Sequence, residues 1–263
     1  MPGHGLHRGA YRKVAPFVFV GLVCILPAAA APLCPADRID ERVAVAHVHD
    51  GDTVRLRDGR DLRFIGVDTP ELGREGRAAE PLAAEARAAL VHWLATSPRL
   101  LLRHDKEVED RYGRRLAHAY LENGDSVAAR LLAEGLAVTL VVPPNLHDAQ
   151  CRSAYQRAAQ LGRRGLWDLP EYQSVPATDI TARSSGFRRI EGRITRVSEH
   201  KGDLWLHLGP TLAVHVARAD RGLVALAPEG LQGVRVQVQG EVHPGKRRAY
   251  LRIRHPGAIT VVP

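Results

Sequence analysis

No apolar run in the chain is long enough to read as a membrane span. The one candidate, Val14 to Leu26, is short and interrupted by Pro16, so an uncleaved inner-membrane anchor is the weaker reading. Cysteine is scarce, with 3 residues in 263. Lysine is scarce beside abundant arginine and alanine, a composition bias that carries no functional message. Signs of wholesale disorder are absent, because the apolar share of 45% suits globular cores. Also missing is a β-α-β alternation, which sets aside a parallel sheet.

What is there begins with a leader. Arg8, Arg12 and Lys13 make a positive start, the short apolar run follows, and Ala28 and Ala30 precede an expected cut after Ala30. A lipoprotein is disfavoured, since Leu33 precedes Cys34 where a small residue is needed. Residues 1–30 are therefore read as a signal peptide, and the mature chain as periplasmic or secreted, with no stable membrane insertion. Its removal takes Cys24 away and lowers the formal charge from +8 to +5. Cys34 and Cys151 remain, an even pair in an exported chain, and are expected to form a disulfide.

Apolar periodicity and turn residues divide the remainder. Residues 43–49, 53–57 and 60–67 read as successive strands, with Asp50-Gly51 and Asp58-Gly59 as turns. Residues 80–94 read as a helix, and 99–104 and 115–122 as two more strands. A short helix at 126–134 has Asp125 or Ser126 as its cap and Gly135 past its end. A third helix at 146–161 shows an apolar face of Cys151, Ala154, Tyr155, Ala158 and Leu161. Five strands with three helices make an α+β fold around a small barrel, over residues 31–173. Trp167 is expected to pack the tail of this region onto its core.

The polar stretch 174–186 reads as a linker. Beyond it, strands at 187–198, 203–208, 211–217, 234–243 and 247–254 enclose one short helical piece at 218–226. That order suggests a second small all-β, OB-like barrel over 187–263, with Trp205 expected in its core rather than as a stacking platform. This part carries 13 basic and 6 acidic residues, against 21 and 23 in residues 31–186. A basic barrel beside a nearly neutral domain points to a polyanion, against the alternative of a generically basic surface.

Chemistry concentrates in three stretches, "DGDTVRL" from Asp50, "RFIGVDTPE" from Arg63 and "DRYGRRLAHAY" from Asp110. Asp52, Asp68 and Glu71 share one pocket if the second and third strands pair. Three carboxylates together repel, and a divalent cation relieves the repulsion. An all-oxygen ligand set favours Ca²⁺ or Mg²⁺ over zinc, and the twelve-residue rhythm of an EF-hand is absent. His47 and His49 are read as ordinary strand histidines. Arg63 and Arg114 suit phosphate, because a guanidinium donates two parallel hydrogen bonds. Cation, carboxylate and paired arginine together describe phosphodiester hydrolysis.

In composition, order and spacing these three stretches resemble the motifs of the staphylococcal-type thermonuclease family, over about residues 42–168. The resemblance implies an OB-type barrel with three helices and a Ca²⁺-dependent nuclease that cuts DNA and RNA and leaves 3′-phosphate ends. It implies Asp52, Asp68 and the Thr69 carbonyl as Ca²⁺ ligands, with Asp50 in support through water. Glu71 is then the general base, and Arg63 and Arg114 bind the phosphate. Tyr112 is retained as a substrate contact, whereas "VTLVVPP" offers Val141 and Pro143 where the family's prototype has stacking tyrosines. Loss of that stacking weakens binding without disabling chemistry, and the basic second barrel is expected to offset it. The family core lacks such a second barrel. A lapsed, purely nucleic-acid-binding module is the alternative, but it predicts gaps among Asp52, Arg63, Asp68, Glu71 and Arg114. The chain is taken as a monomer.

Overall fold

Glu41–Val48 (β1), Thr53–Leu56 (β2) and Asp61–Phe64 (β3) form an antiparallel meander, with Thr53 opposite Arg63. Their alternating buried residues, Val43, Val45, Val54, Leu56, Leu62 and Phe64, supply one wall of a core. Arg99–Arg103 (β5) and Arg115–Tyr120 (β6) close it, and the barrel runs β1-β2-β3-β6-β5 and back to β1. Only β3 and β6 pair in parallel. These coordinates are a computed structural model, and they describe residues 1, 31–73, 76–224 and 226–262. The expected leader, its cut after Ala30 and Cys24 lie outside the described residues or at their border.

The run 60–67 is not one strand. At Gly66, with φ +93°, the chain turns off the barrel and continues as a separate strand, Gly66–Asp68 (β4). A side chain here would meet the Arg152 guanidinium at 2.3 Å, so only glycine allows the approach. Val138–Leu140 (β7), which the sequence reading did not resolve, pairs with β4 and places Val138 opposite Asp68.

Three helices cover this barrel: Ala83–Leu94 (α1), Val127–Glu134 (α2) and Ala149–Leu161 (α3). Ser126 is the cap of α2 and accepts from the Ala129 N–H, while Gly135 ends the helix at φ 71°. The face expected for α3 is wrong. Its buried residues are Arg152, Gln156 and Ala159, and Leu161 is 88% exposed. Polar residues can face inward here because the backbone of β7 needs a partner: Gln156 Oε1 accepts from the Thr139 N–H at 2.6 Å. Cys151, beside them, is disulfide-bonded to Cys34.

Residues 174–186 carry structure of their own. Ser174–Pro176 (β8) pairs in parallel with Gly186–Arg193 (β9), and Ala177 and Ile180 are buried in a second core. The sheet that follows contains Arg196–His200 (β10), Asp203–His207 (β11), Leu212–Val216 (β12), Arg235–His243 (β13), Ala249–Arg252 (β14) and Ile259–Val261 (β15). Its order is β10-β11-β12-β14-β13-β9-β8, with β15 against β13 and the short helix Arg221–Val224 (α4) outside it. Because β9 and β10 are one chain bent at Ile194 and Thr195, this order returns on itself. Of its two parallel pairs, β12 with β14 occupies the same place in the order as β3 with β6 in the first barrel. The fold is α+β: a closed five-stranded barrel with helices, then an all-β region.

Trp205 departs from expectation, and Trp167 does more than is expected of it. Trp167, 1% exposed, does not merely seal its own barrel. It contacts Tyr172 and Phe187 edge-on at 5.9 and 6.1 Å, and so stands at the seam with the second barrel. Gln160 donates to Gln239 across the same seam at 2.9 Å. Trp205 is outside the second core. Leu204 and Leu206 on either side of it point inward, and the strand's alternation turns Trp205 outward, stacked on His215 at 4.2 Å.

Candidate active site

Gly51 brings the first acidic loop under the second. Its φ is unexceptional, but a side chain there would meet Thr69 Cγ2 at 2.7 Å and Ala86 Cβ at 2.9 Å. The glycine serves close packing rather than a left-handed turn. That packing sets Asp52 beside Thr69, whose N–H and hydroxyl both donate to Asp52 Oδ2, at 2.7 and 2.9 Å. Thr53 Oγ1 donates to the other oxygen at 3.0 Å, and Asp50 Oδ1 accepts from the Asp52 N–H at 3.1 Å.

Arg63 joins the two loops. From β3 its Nη1 reaches Asp52 Oδ2 at 2.9 Å and its Nη2 reaches Asp68 Oδ1 at 2.5 Å. Nη1 also donates to the Val67 carbonyl at 2.9 Å, which fixes the plane of the guanidinium. Charges within this group do not balance. Burial, then the Asp50 and Asp68 carboxylates, push Asp52 up to about 7 against the pull of Arg63 and the Thr69 N–H. Asp68 is pushed up as well, by the protein crowding its cleft and then by Glu71, Glu241 and Glu80, although half its side chain reaches solvent. One guanidinium is too little positive charge for these carboxylates.

A cleft of about 470 Å³ opens on this group, lined by Asp50, Asp52, Arg63, Glu71 and Arg114 among others. Glu71 is exposed, and its carboxylate takes no hydrogen bond from any described residue. Its backbone is held instead, with its N–H donating to Glu80 Oε2 at 3.0 Å and its carbonyl accepting from the Glu80 N–H at 2.9 Å. Arg114 is aimed by Asp110, which accepts from its N–H and its Nε at 3.0 and 2.8 Å. Tyr112, 69% exposed, lies under Arg111 and Arg114 at 4.8 and 5.7 Å.

Sequence reasoning missed several of these contacts. Asp110 and Thr53 stand inside the quoted motifs, so their positioning roles were there to be found. His49 and Asp61, 3.2 Å apart, also line the cleft, and no pattern pointed to them together. The three carboxylates do not converge as expected. Arg63 separates Asp52 from Asp68, and no group of three or more His, Cys, Asp or Glu is gathered for a metal among the described residues. Asp68 instead lines a second cavity of about 320 Å³, with Glu80, Tyr172, Phe187 and Glu241, and Glu71 borders both spaces. Leu140, 40% exposed, lines this second cavity, whereas Val141 is only 3% exposed and cannot stand in for a stacking tyrosine.

An OB-type barrel with paired arginines and carboxylates at one rim defines a class of phosphodiester-handling proteins. Residues 61–169 match the profile of the family described as staphylococcal nuclease homologues. The chain is 36% identical over 132 residues to the thermonuclease of Staphylococcus intermedius, covering 77% of that protein and 49% of this one. It is 34% identical over 131 residues to the thermonuclease of Staphylococcus hyicus, covering 76% of it and 49% of this chain. A further relative is the endonuclease YncB of Bacillus subtilis, 33% identical over 128 residues, 60% of that protein and 47% of this chain. The chain belongs to the staphylococcal nuclease homologue family. The matched profile starts at β3 and ends at residue 169, so Asp50, Asp52 and the second all-β region lie outside it.

Proposed function

We propose that the chain is an exported, Ca²⁺-dependent nuclease that hydrolyses DNA and RNA without strong sequence preference and leaves 3′-phosphate ends. The carrying observation is the meeting of Arg63, Glu71 and Arg114 on one cleft beside Asp52. Support for the substrate comes from the relatives, two of them thermonucleases and one an endonuclease.

The donor set fits a hard cation. Asp52 and Asp68 present oxygen only, both carboxylates are short of positive charge, and both already share one cation, Arg63. Asp52, Asp68 and the Thr69 carbonyl would hold Ca²⁺, with Asp50 behind them. When bound, the ion supplies Lewis-acid stabilisation of the phosphoryl oxygens. Glu71 takes a proton from the attacking water, whose oxygen bonds to phosphorus as the bond to the 5′ oxygen breaks. That oxygen leaves with the electron pair and is protonated by solvent. Arg63 and Arg114 donate to the oxygens on which charge develops.

Export rests on the leader pattern and is supported by the Cys34–Cys151 disulfide, a bond suited to an oxidising compartment. Plasmid DNA incubated with the protein in Ca²⁺ and in chelator tests the reading. Cleavage only in Ca²⁺, with 3′-phosphate termini, is expected. No cleavage in Ca²⁺, or cleavage indifferent to chelation, overturns it.

A further inference from the structure

Strand register lines up two rows of side chains on the second barrel. Ser198, Trp205, His215 and Arg252 are successive partners across β10, β11, β12 and β14. Arg196, His207, Ala213 and Tyr250 form the neighbouring row. Leu204, Leu206, Val214 and Leu251 alternate with them and point into the core, so both rows lie on the outer face.

His207 sits in this face under two arginines. Arg196 Nη2 lies 3.0 Å from its Nε2, and Arg248 Nη1 lies 2.5 Å from its Nδ1. Neither arginine has a carboxylate partner among the described residues. A guanidinium only donates, and a neutral imidazole has one donor and one acceptor. If Nε2 carries the hydrogen, it can donate to Ser198 Oγ at 3.0 Å, but Arg196 then faces a donor. If Nδ1 carries it, Arg248 does. Each tautomer leaves one N–H directed at another N–H. Protonation is no escape, because burial and then the two arginines hold the imidazole neutral, pulling it down to about 4. An anion resolves the conflict, since it accepts from both guanidiniums and from the imidazole.

Aromatic planes flank this cradle. Trp205 and His215 stack at 4.2 Å and an interplanar angle of 19°, and Tyr250, 36% exposed, lies 5.1 Å from His243. The surrounding region carries 13 basic and 6 acidic residues. Phosphate donors beside part-exposed aromatic rings suit a chain whose bases are unstacked, which a duplex does not offer.

We propose that this face binds single-stranded nucleic acid, with a backbone phosphate held between Arg196 and Arg248 and bases against Trp205 and Tyr250. The proposal deepens the nuclease reading, on which it rests for the identity of the polyanion. It adds a contact with the same substrate on a different barrel.

The test measures binding of labelled oligothymidylate to the intact protein in chelator, by fluorescence anisotropy over a range of salt. Arg196→Ser/Arg248→Ser should raise Kd about tenfold or more and make the log–log salt slope shallower by about 0.7, for the one single-strand phosphate no longer neutralised. Trp205→Leu should also raise Kd about tenfold but leave the slope in place, because stacking is uncharged. Arg196→Ser alone, at an exposed position, keeps the test valid if the double variant misfolds. An unchanged Kd in these variants overturns the proposal. So does displacement of the oligonucleotide by millimolar inorganic phosphate, which would give the cradle to a free anion. Binding without cleavage in Ca²⁺ would remove the nuclease reading and leave this surface standing, and cleavage with unaltered variant binding would do the reverse.

Discussion

Arg63 ties Asp52 to Asp68, with one guanidinium nitrogen 2.9 Å from the first carboxylate and the other 2.5 Å from the second. The two acids come from different loops, and this bridge and the Thr69–Asp52 hydrogen bonds set the loops against each other. Lysine cannot repeat the bridge, because its ammonium is a single point of charge. Arg63→Lys should therefore lower kcat on single-stranded DNA by about 10²–10³-fold, the range for losing one charge-stabilising donor. Its circular dichroism spectrum should remain that of a folded protein, so the loss is read on an intact fold. A variant with near-normal kcat would remove Arg63 from the chemistry.

The disulfide joins residues 117 positions apart and fastens the segment before β1 to α3. Closing so long a loop restricts the unfolded chain, and removing the bond should cost about 2–5 kcal/mol. Cys151→Ser, or mild reductant, should lower the thermal midpoint by several degrees, as read by circular dichroism. Two titratable thiols in protein purified from the periplasm or medium would contradict the bond.

Acid should destabilise the first barrel through His118. Burial, then the charge of Arg152, pull this imidazole down to about 3, while in the unfolded chain it titrates near its ordinary value of about 6.5. Between these values the unfolded state binds the extra proton, so stability falls as pH falls through that window. Asp52 works in the opposite sense, since its raised carboxyl takes up a proton in the folded state first. The difference between wild type and His118→Gln isolates the histidine. From pH 7 to 4 the variant's urea midpoint should decline less than the wild type's. Parallel declines would show that His118 does not titrate on unfolding.

Much of the fold was legible because strand alternation and turn residues are local signals. Thr53 to Leu56 and Arg115 to Tyr120 fall where their patterns place them. What escaped depends on distant partners. The break at Gly66 follows from Arg152, far along the chain, and the inward face of α3 follows from the Thr139 N–H that Gln156 accepts. Trp205 misled because a tryptophan in a strand fits a core as well as an outer face, and only the register of β11 decides between them. At the site, the motifs named Asp52, Arg63, Asp68, Glu71 and Arg114. They did not show that Arg63 stands between the carboxylates, or that Asp110 aims Arg114.

Glu71 gives the most direct test. Its backbone is clamped to Glu80 while its carboxylate faces the cleft, so a change at this side chain should leave the fold intact. The measurement is kcat for single-stranded DNA at saturating Ca²⁺, wild type against Glu71→Gln, with circular dichroism as the control for folding. A glutamine cannot take the proton from water, and the expected loss is about 10²–10⁴-fold, the share usual for a general base. Near-normal turnover in a folded Glu71→Gln protein would contradict the assignment of this cleft as a hydrolytic site with Glu71 as its base.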